Sequence, residues 1–400
     1  MFGEHSASGG RGARGLCIAM AILVCSSIWA VNGTSDTSGS PIRFAAFNAS
    51  LNRGEEGQLV ADLRGNDAQA RAIAEIIQRV RPDVLLINEF DYDSDGAAAE
   101  LFQTRYLGVG QRGAEPIEYS YVFLGPSNTG VVTRFGQMIG YGAFEGQYGM
   151  LLLSTYPIDT AGVRTFRNFL WKDMPNALLP VDPASGAGWF STRELSVMPL
   201  SSKSHWDIPI LVGDGVIHVL ASHPTPPVYD GPEDANGRRN HDEIRFWADY
   251  VSGSQYIYDD AGRTGGLELG SHFVIMGDQN ADPFDGDATD NAILQLLESP
   301  RINTHVAPAS DGAAEQAALQ GGANASHRGD PQHDTADWNE ASTGNLRADY
   351  VLPSVTLSIV HAEVFWPLST DPLFRLVGTY PFPSSDHRLV WVDVEIPAAP

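Results

Sequence analysis

One stretch constrains this chain more than any other: Phe273-Val274-Ile275-Met276-Gly277-Asp278-Gln279-Asn280-Ala281-Asp282. Four apolar, β-prone residues run into a glycine, after which an acid and an amide sit two positions apart. The run is too short for a helix of ordinary length and suits a buried strand. If strand pairing persists past Gly277, the period of two sends Asp278 and Asn280 to the same side. An Asx-turn at the end of the strand is the alternative. Either way the backbone behind the pair can be approached closely, because Gly277 has no side chain.

The same design recurs along the chain. Ile42–Asn48 is a strand ending in an amide, and Val84–Glu89 a strand ending in an acid. Between them Ala70, Ile73, Ala74, Ile77 and Val80 fall at helical spacing, closed by Pro82. Pro209–Val212 and Val216–His223 read as a hairpin around Gly213-Asp214-Gly215. Further strands are expected at Glu118–Leu124, Val131–Thr133, Phe144–Ser154, Arg347–Pro353, Leu357–Phe365 and Leu389–Val394, with helices over Ala97–Leu107, Asn240–Val251 and Ala292–Leu297. Residues 162–207 and 304–345 show no clean period and read as excursions from the core. Strands and helices in alternation predict a layered α/β fold, whose site forms where strands deliver polar groups at their ends. No repeat and no linker divides residues 42–397, so one domain is expected.

Composition narrows the chemistry. The only cysteines, Cys17 and Cys25, lie in the apolar run 16–31 behind Arg11 and Arg14. That pattern is a secretory signal over residues 1–33, followed by a linker at 34–41. An uncleaved membrane anchor is the alternative, although sixteen residues are short for a span of about 20. The mature chain is expected to be secreted or periplasmic, with no membrane span and no thiol, which excludes cysteine nucleophiles and thiolate metal sites. With 49 acidic against 25 basic residues, a net charge of −24 disfavours extended duplex DNA as a partner. No Gly-x-Ser-x-Gly elbow or phosphate-cradling loop ending in Lys-Ser/Thr is present.

The polar residues at strand ends are Asn48, Glu89, His223, Asp278, Asn280, Asp349, Asp386 and His387. Carboxylates and amides without thiols suit a hard divalent cation, and neighbouring histidines suit proton transfer or stabilisation of phosphoryl oxygens. Phe47-Asn48, Ile87-Asn88-Glu89, Tyr148–Ser154, Ser222-His223, Gly277–Asp282, Ala348–Val351 and Ser385-Asp386-His387 occur in this order. The chain thereby resembles the endonuclease/exonuclease/phosphatase superfamily, as a secreted, bacterial-type member, over nearly all of residues 42–396. The resemblance implies a DNase I-like fold, a four-layer α/β/β/α sandwich of two packed mixed β-sheets. It also implies a phosphoester substrate, hydrolysed by in-line attack of water with Mg2+, or Mn2+ or Ca2+, as cofactor.

By the same resemblance Glu89 is a metal ligand, assisted by Asn48 and Asp386. Asp278 orients or deprotonates the attacking water, and Asn280 helps to hold it. His387 contacts the phosphate and Asp349 orients His387. His223 matches the histidine of the deoxyribonuclease and lipid-phosphodiesterase branches. Tyr148 stands where deoxyribonuclease has a glutamate, and Ser50 where some members have a second acid, so the substrate branch stays open. A nuclease, or a catalytically silent extracellular binding module, is the alternative.

Taken singly, each of these residues has a structural reading as a strand-edge acid, turn or core histidine, and His218 is read as structural. Asp282, Asp285, Asp287 and Asp290 lack the spacing of a twelve-residue calcium loop and are read as helix caps or a solvated loop. His327, His333, Asp330 and Asp334 invite a second metal site but are expected to be exposed. Some of Lys203, His205, Arg238 and Arg239, scarce cationic or protonatable groups here, are expected to line the approach of an anionic substrate.

Overall fold

The computed structural model describes residues 40–397. The expected signal and most of the linker after it fall outside them. Strand β1 (Ile42–Asn48) leads through helices α1 (Gln58–Arg64) and α2 (Ala68–Val80) to β2 (Val84–Asn88). Helix α2 starts where Asp67 accepts a hydrogen bond from the Ala70 amide, and Arg81 stops it in a left-handed conformation before Pro82. Helix α3 (Ala97–Phe102), continued by a π-helical turn over Gln103–Leu107, precedes β3 (Tyr121–Leu124) and β4 (Met150–Ser154). The second half of the chain adds β5 (Arg164–Thr165), α4 (Thr192–Leu195), β6 (His205–Val212), β7 (Gly215–Ser222), α5 (Ala235–Val251) and β8 (His272–Asp278). It closes with α6 (Leu294–Leu297), α7 (Asp311–Gln320), β9 (Ala336–Asp337), β10 (Asn345–Leu346), β11 (Asp349–Pro353), β12 (Ser358–Val364) and β13 (Val390–Glu395).

These strands form two mixed sheets. One runs β12-β13-β1-β2-β4-β3 and the other β11-β8-β7-β6-β5, with β9 and β10 pairing separately. Among the strands of the described residues only β1–β2 and β7–β8 pair in parallel, each pair joined through helices, as parallel neighbours require. The sheets face each other, with β1 and β2 against β8 and β1 against β11. This is the α/β architecture of two packed mixed sheets with flanking helices.

Strand parity decides what enters the seam between the sheets. Ile217, Val219, Ala221, Val274, Met276 and Val351 pack into the core shared with the first sheet. Their neighbours Leu220, Phe273, Ile275, Tyr350 and Leu352 face the opposite way into a second core with Phe246, Trp247 and Tyr250 of α5. Counting on by twos from Met276 and back from Val351 brings Asp278 and Asp349 to the seam. The β8–β11 register sets these two residues directly opposite each other.

Several sequence expectations change. Val131–Thr133 is not a strand but carries one isolated bridge, Val132 to Met138. Strand β4 begins at Met150 rather than Phe144, because Gly146 (φ 92°) and Tyr148 (φ 57°) break the extended backbone. Helix α5 begins at Ala235, five residues before Asn240: its first turn is polar and lacks the apolar period that marks the rest. The 162–207 excursion contains β5 and the start of β6. The 304–345 excursion is more than surface. It contains α7 and pairs with the site, Ala336 bridging His387 and the Asp337 amide donating to Asp386 O at 2.8 Å.

Gly277 fixes how closely β8 approaches β7. Its φ is 136°, and a Cβ there would lie 2.1 Å from Ser222 O. Gly277→Ala therefore combines a disfavoured backbone with a backbone clash, and we expect a loss of about 3 kcal/mol or more in urea unfolding.

Candidate active site

Asp278 is the hub. It is 1% exposed, and donors from separate parts of the chain surround its Oδ2. Asn48 Nδ2 lies at 3.0 Å, His223 Nε2 at 3.3 Å and His387 Nε2 at 3.8 Å. Oδ1 accepts from the Asn280 amide at 2.8 Å. The Asp278 amide donates to Asn88 Oδ1 at 3.2 Å, which ties the ends of β8 and β2 together. Strand pairing does not carry Asn280 to Asp278, since β8 ends at Asp278 and Asn280 is left-handed at φ 51°. An Asx-turn makes the pair adjacent, and the Asn280 side chain donates to Pro224 O at 3.1 Å.

His387 is held from behind. Its Nδ1 lies 2.8 Å from Asp349 Oδ2, which also accepts from Thr335 Oγ1 at 2.8 Å. The Trp338 ring packs edge-on against the imidazole at 5.5 Å between centroids. On the other side of the site Asn52 Nδ2 donates to Glu89 Oε2 at 2.8 Å, and Ser50 Oγ to Asp386 Oδ1 at 3.1 Å. Above these groups opens a cavity of about 1030 Å³, within the size range of ligand sites. Glu89, Tyr148, His223, Asp278, Asn280, Asp386 and His387 line it, and Asn48 and Asp349 stand behind.

The charges follow from burial and partners. Burial alone would raise the Asp278 carboxyl, but the His387 charge and the hydrogen bonds from His223 and Asn48 hold it well below the usual carboxylate range. Burial opposes charge on His387 too, and the Asp349, Asp278 and Asp386 carboxylates outweigh it, so its pKa is far above normal. Burial pushes Asp349 up to about 6 against the pull of His387. Within that pair the proton stays on the imidazole, because Asp278 and Asp386 also favour the cation. His223 is the reverse case, as burial and the Lys203 charge lower it to about 4 and leave it neutral. Its Nδ1 has no hydrogen-bond partner.

Glu89 is half-buried at the cavity wall. Loss of water pushes its carboxyl up to about 7, Asp386 and Asp278 add to the rise, and His387 and the Asn48 amide oppose it. Two facing carboxylates and an amide, with no ion pair on either acid among the described residues, form a hard-oxygen donor set that fits a divalent cation. Asp278, Asp349 and His387 also bring ligand atoms within 4.8 Å of one another. That trio already satisfies itself around a protonated imidazole, which repels a metal ion.

The family model described as "Endonuclease/Exonuclease/phosphatase family" matches residues 45–387. The chain belongs to this family. Similar solved structures include an endonuclease/exonuclease/phosphatase from Beutenbergia cavernae DSM 12333, 17% identical over 90% of this chain and 73% of that one, with TM-score 0.49. Sphingomyelinase C from Streptomyces griseocarneus is 14% identical over 89% and 99%, with TM-score 0.44. The human Nocturnin catalytic domain is 16% identical over 88% and 94%, with TM-score 0.44. No curated protein sequence matches.

All nine residues expected from the family resemblance thus gather around one cavity in this family member. Sequence reasoning missed Thr335 and Trp338, which lie in the Gly/Asp/His-rich 304–345 segment and carry no motif. It missed Asn88 and Asn52 as well. Asn88 sat inside a quoted motif, whereas Asn52 follows the first strand without a pattern.

Of the four groups some of which are expected to line the approach of an anion, Lys203 and Arg239 border the cavity, and three of the four have polar partners elsewhere. Arg239 donates to the carbonyls of Leu200 at 2.7 Å, Pro199 at 2.9 Å and Ile139. Arg238 pairs with Asp234, and His205 is sealed between Ser201 Oγ and Glu243 O. Asp282 caps a turn, accepting from the Phe284 and Asp285 amides. Asp334 is buried rather than exposed, and burial with Asp282, Asp285 and Asp330 nearby raises its carboxyl to about 8. His333 is half-buried on Pro308 O, and His218 pairs with Asp207 at 2.7 Å.

Burial of His205 gives this chain a source of acid sensitivity. Burial lowers its pKa from 6.5 to about 4, so between those values the unfolded chain binds the proton and the folded chain does not. Its neutral burial costs nothing above pH 6.5, and stability falls as pH drops from there towards 4, by about 3 kcal/mol. His205→Gln should be less stable at pH 7 and should lose that part of the acid slope in denaturant titrations from pH 7 to 4.

Proposed function

We propose that the chain is a secreted phosphoesterase that depends on a divalent metal and hydrolyses a phosphodiester or phosphomonoester by in-line attack of water. The observation that carries this reading is one ionised, nearly dry carboxylate, Asp278, beside a protonated His387 at the floor of an open cavity. Such an arrangement orients a water from one side and meets developing negative charge from the other. We take residues 42–397 to be one catalytic domain behind an export signal at 1–33.

Glu89, Asn48 and Asp386 would hold the metal, Mg2+ in the first instance, with Mn2+ or Ca2+ as alternatives. When bound, the ion supplies positive charge to a phosphoryl oxygen. Asp278 fixes the attacking water along the axis to phosphorus and draws off its proton. The Asn280 amide bond to Asp278 Oδ1 and the Asn48 bond to Oδ2 fix the orientation of the carboxylate towards the water. His387, kept cationic by Asp349, hydrogen-bonds a phosphoryl oxygen through Nε2. Neutral His223 donates from Nε2 to Asp278, which leaves its unpartnered Nδ1 as an acceptor for an O–H. Tyr148, half-buried with its hydroxyl pKa raised by burial and by Glu89, stays protonated and donates to the phosphate. The net charge of −24 favours small or lipid-borne phosphoesters over long duplex DNA.

With Mg2+ present, bis-p-nitrophenyl phosphate, p-nitrophenyl phosphate, inositol phosphates and plasmid DNA separate diester, monoester and nuclease activity. Asp278→Asn and His387→Ala should each lower turnover on the preferred substrate by about 10²-fold or more, with folding checked by circular dichroism. Near-normal turnover in both would reject the reading. Glu89→Gln should abolish the rise in melting temperature that Mg2+ gives the wild type; an unchanged rise would move the metal elsewhere.

A further inference from the structure

The chain has two lysines, Lys172 and Lys203. Lys172 is exposed and pairs with Asp173. Lys203 is 7% exposed and yet reaches the cavity wall. No hydrogen bond or ion pair engages its ammonium among the described residues. Burial lowers its pKa, opposed by the charges of Glu243, Glu89 and Asp278.

Its position is built rather than incidental. Arg239 clamps the Pro199 and Leu200 carbonyls just before it. Glu243 Oε1 accepts from the Ser202 amide at 2.6 Å and Ser202 Oγ at 2.9 Å. The Lys203 carbonyl accepts from the Asn128 amide at 2.8 Å. The backbone leading up to and through Lys203 is therefore pinned, with its side chain at the cavity wall. The neighbouring carboxylates are already committed. Glu243 Oε2 accepts from the Thr225 amide at 2.7 Å, and Asp278 has the nitrogen donors described above. A buried ammonium with no partner is costly to keep, and its position across from Glu89 and beside His223 leaves the cavity as the source of one.

We infer that Lys203 is a further catalytic residue, whose ammonium contacts a non-bridging phosphoryl oxygen of the bound substrate. It complements His387, so that the phosphoryl group meets a cation from the β6 entry as well as from the turn before β13. The identity of the substrate rests on the reading proposed above, but the anion contact does not.

Two experiments keep those claims apart. In the first, wild-type protein is acetylated with and without inorganic phosphate in the presence of Mg2+, and both lysines are followed by mass spectrometry. Phosphate should slow acetylation of Lys203 by about fivefold or more and leave Lys172 unchanged. Equal rates at Lys203, or no acetylation of Lys203 at all, would overturn the inference. In the second, Lys203→Met keeps the stem and removes the charge. Its kcat/KM for bis-p-nitrophenyl phosphate should fall about 10²-fold and its inhibition by phosphate should weaken, without a lower melting temperature. Wild-type kinetics in the variant, or lost activity together with a lower melting temperature, would assign Lys203 a structural role instead. A wild type that hydrolyses no phosphoester with any divalent ion would end the proposed function and leave the labelling result to decide Lys203.

Discussion

An ionised carboxylate buried where two sheets meet is the constraint on which this molecule turns. Asp278 is almost fully removed from water, and a charge there persists only if donors replace the lost hydration. Those donors come from the end of β1, from the residue after β7, from the turn after β8 and from the residue three before β13. Only the Asn280 amide is supplied locally; the others come from distant parts of the chain. The two sheets must pack so that the C-terminal ends of β1 and β2 face those of β7 and β8, and the close approach at Gly277 permits it.

Helix α5 does for the loops what the sheets do for the strands. One of its faces is apolar and packs Phe246, Trp247 and Tyr250 into the second core. Towards its N-terminus the same face carries Arg239, Asn240 and Glu243, all buried. Arg239 holds carbonyls at 199–200 and Glu243 the amides of Ser202 and Thr225, while Asn240 donates to the carbonyls of Thr225 and Gln279. The segments so tied carry Lys203, His223 and Asp278. A buried polar network that is largely satisfied rigidifies its surroundings, which a site needs if charges are to stay aligned.

Backbone strain also occurs at the site. Ser50, Glu89, Tyr148 and Asn280 all have positive φ, between 47° and 58°, each one or two residues beyond a strand end or, for Tyr148, two before one. This conformation turns the chain sharply, so the side chain following a strand points back over the sheet edge. Asparagine adopts it readily, whereas for glutamate and tyrosine it costs stability that surrounding contacts must offset. Asp91 provides part of that support, accepting from the Arg53 and Tyr148 amides.

The sequence by itself determined the strands whose apolar runs end in polar residues, because a period of two and an abrupt change of polarity are local properties. It also determined the family, since Asn48, Glu89, His223, Asp278, Asn280, Asp349, Asp386 and His387 occur in a fixed order that needs no coordinates. Tertiary structure alone decided the rest. Whether Arg239, His205 and Lys203 face substrate or packed backbone depends on partners 30 to 100 residues away, and the three share one composition argument but three different fates. Thr335 and Trp338 gain their place behind His387 only when a segment with no period of its own pairs with the approach to β13. A pattern in one dimension marks which residues are charged; the energy of a charge depends on what surrounds it in three.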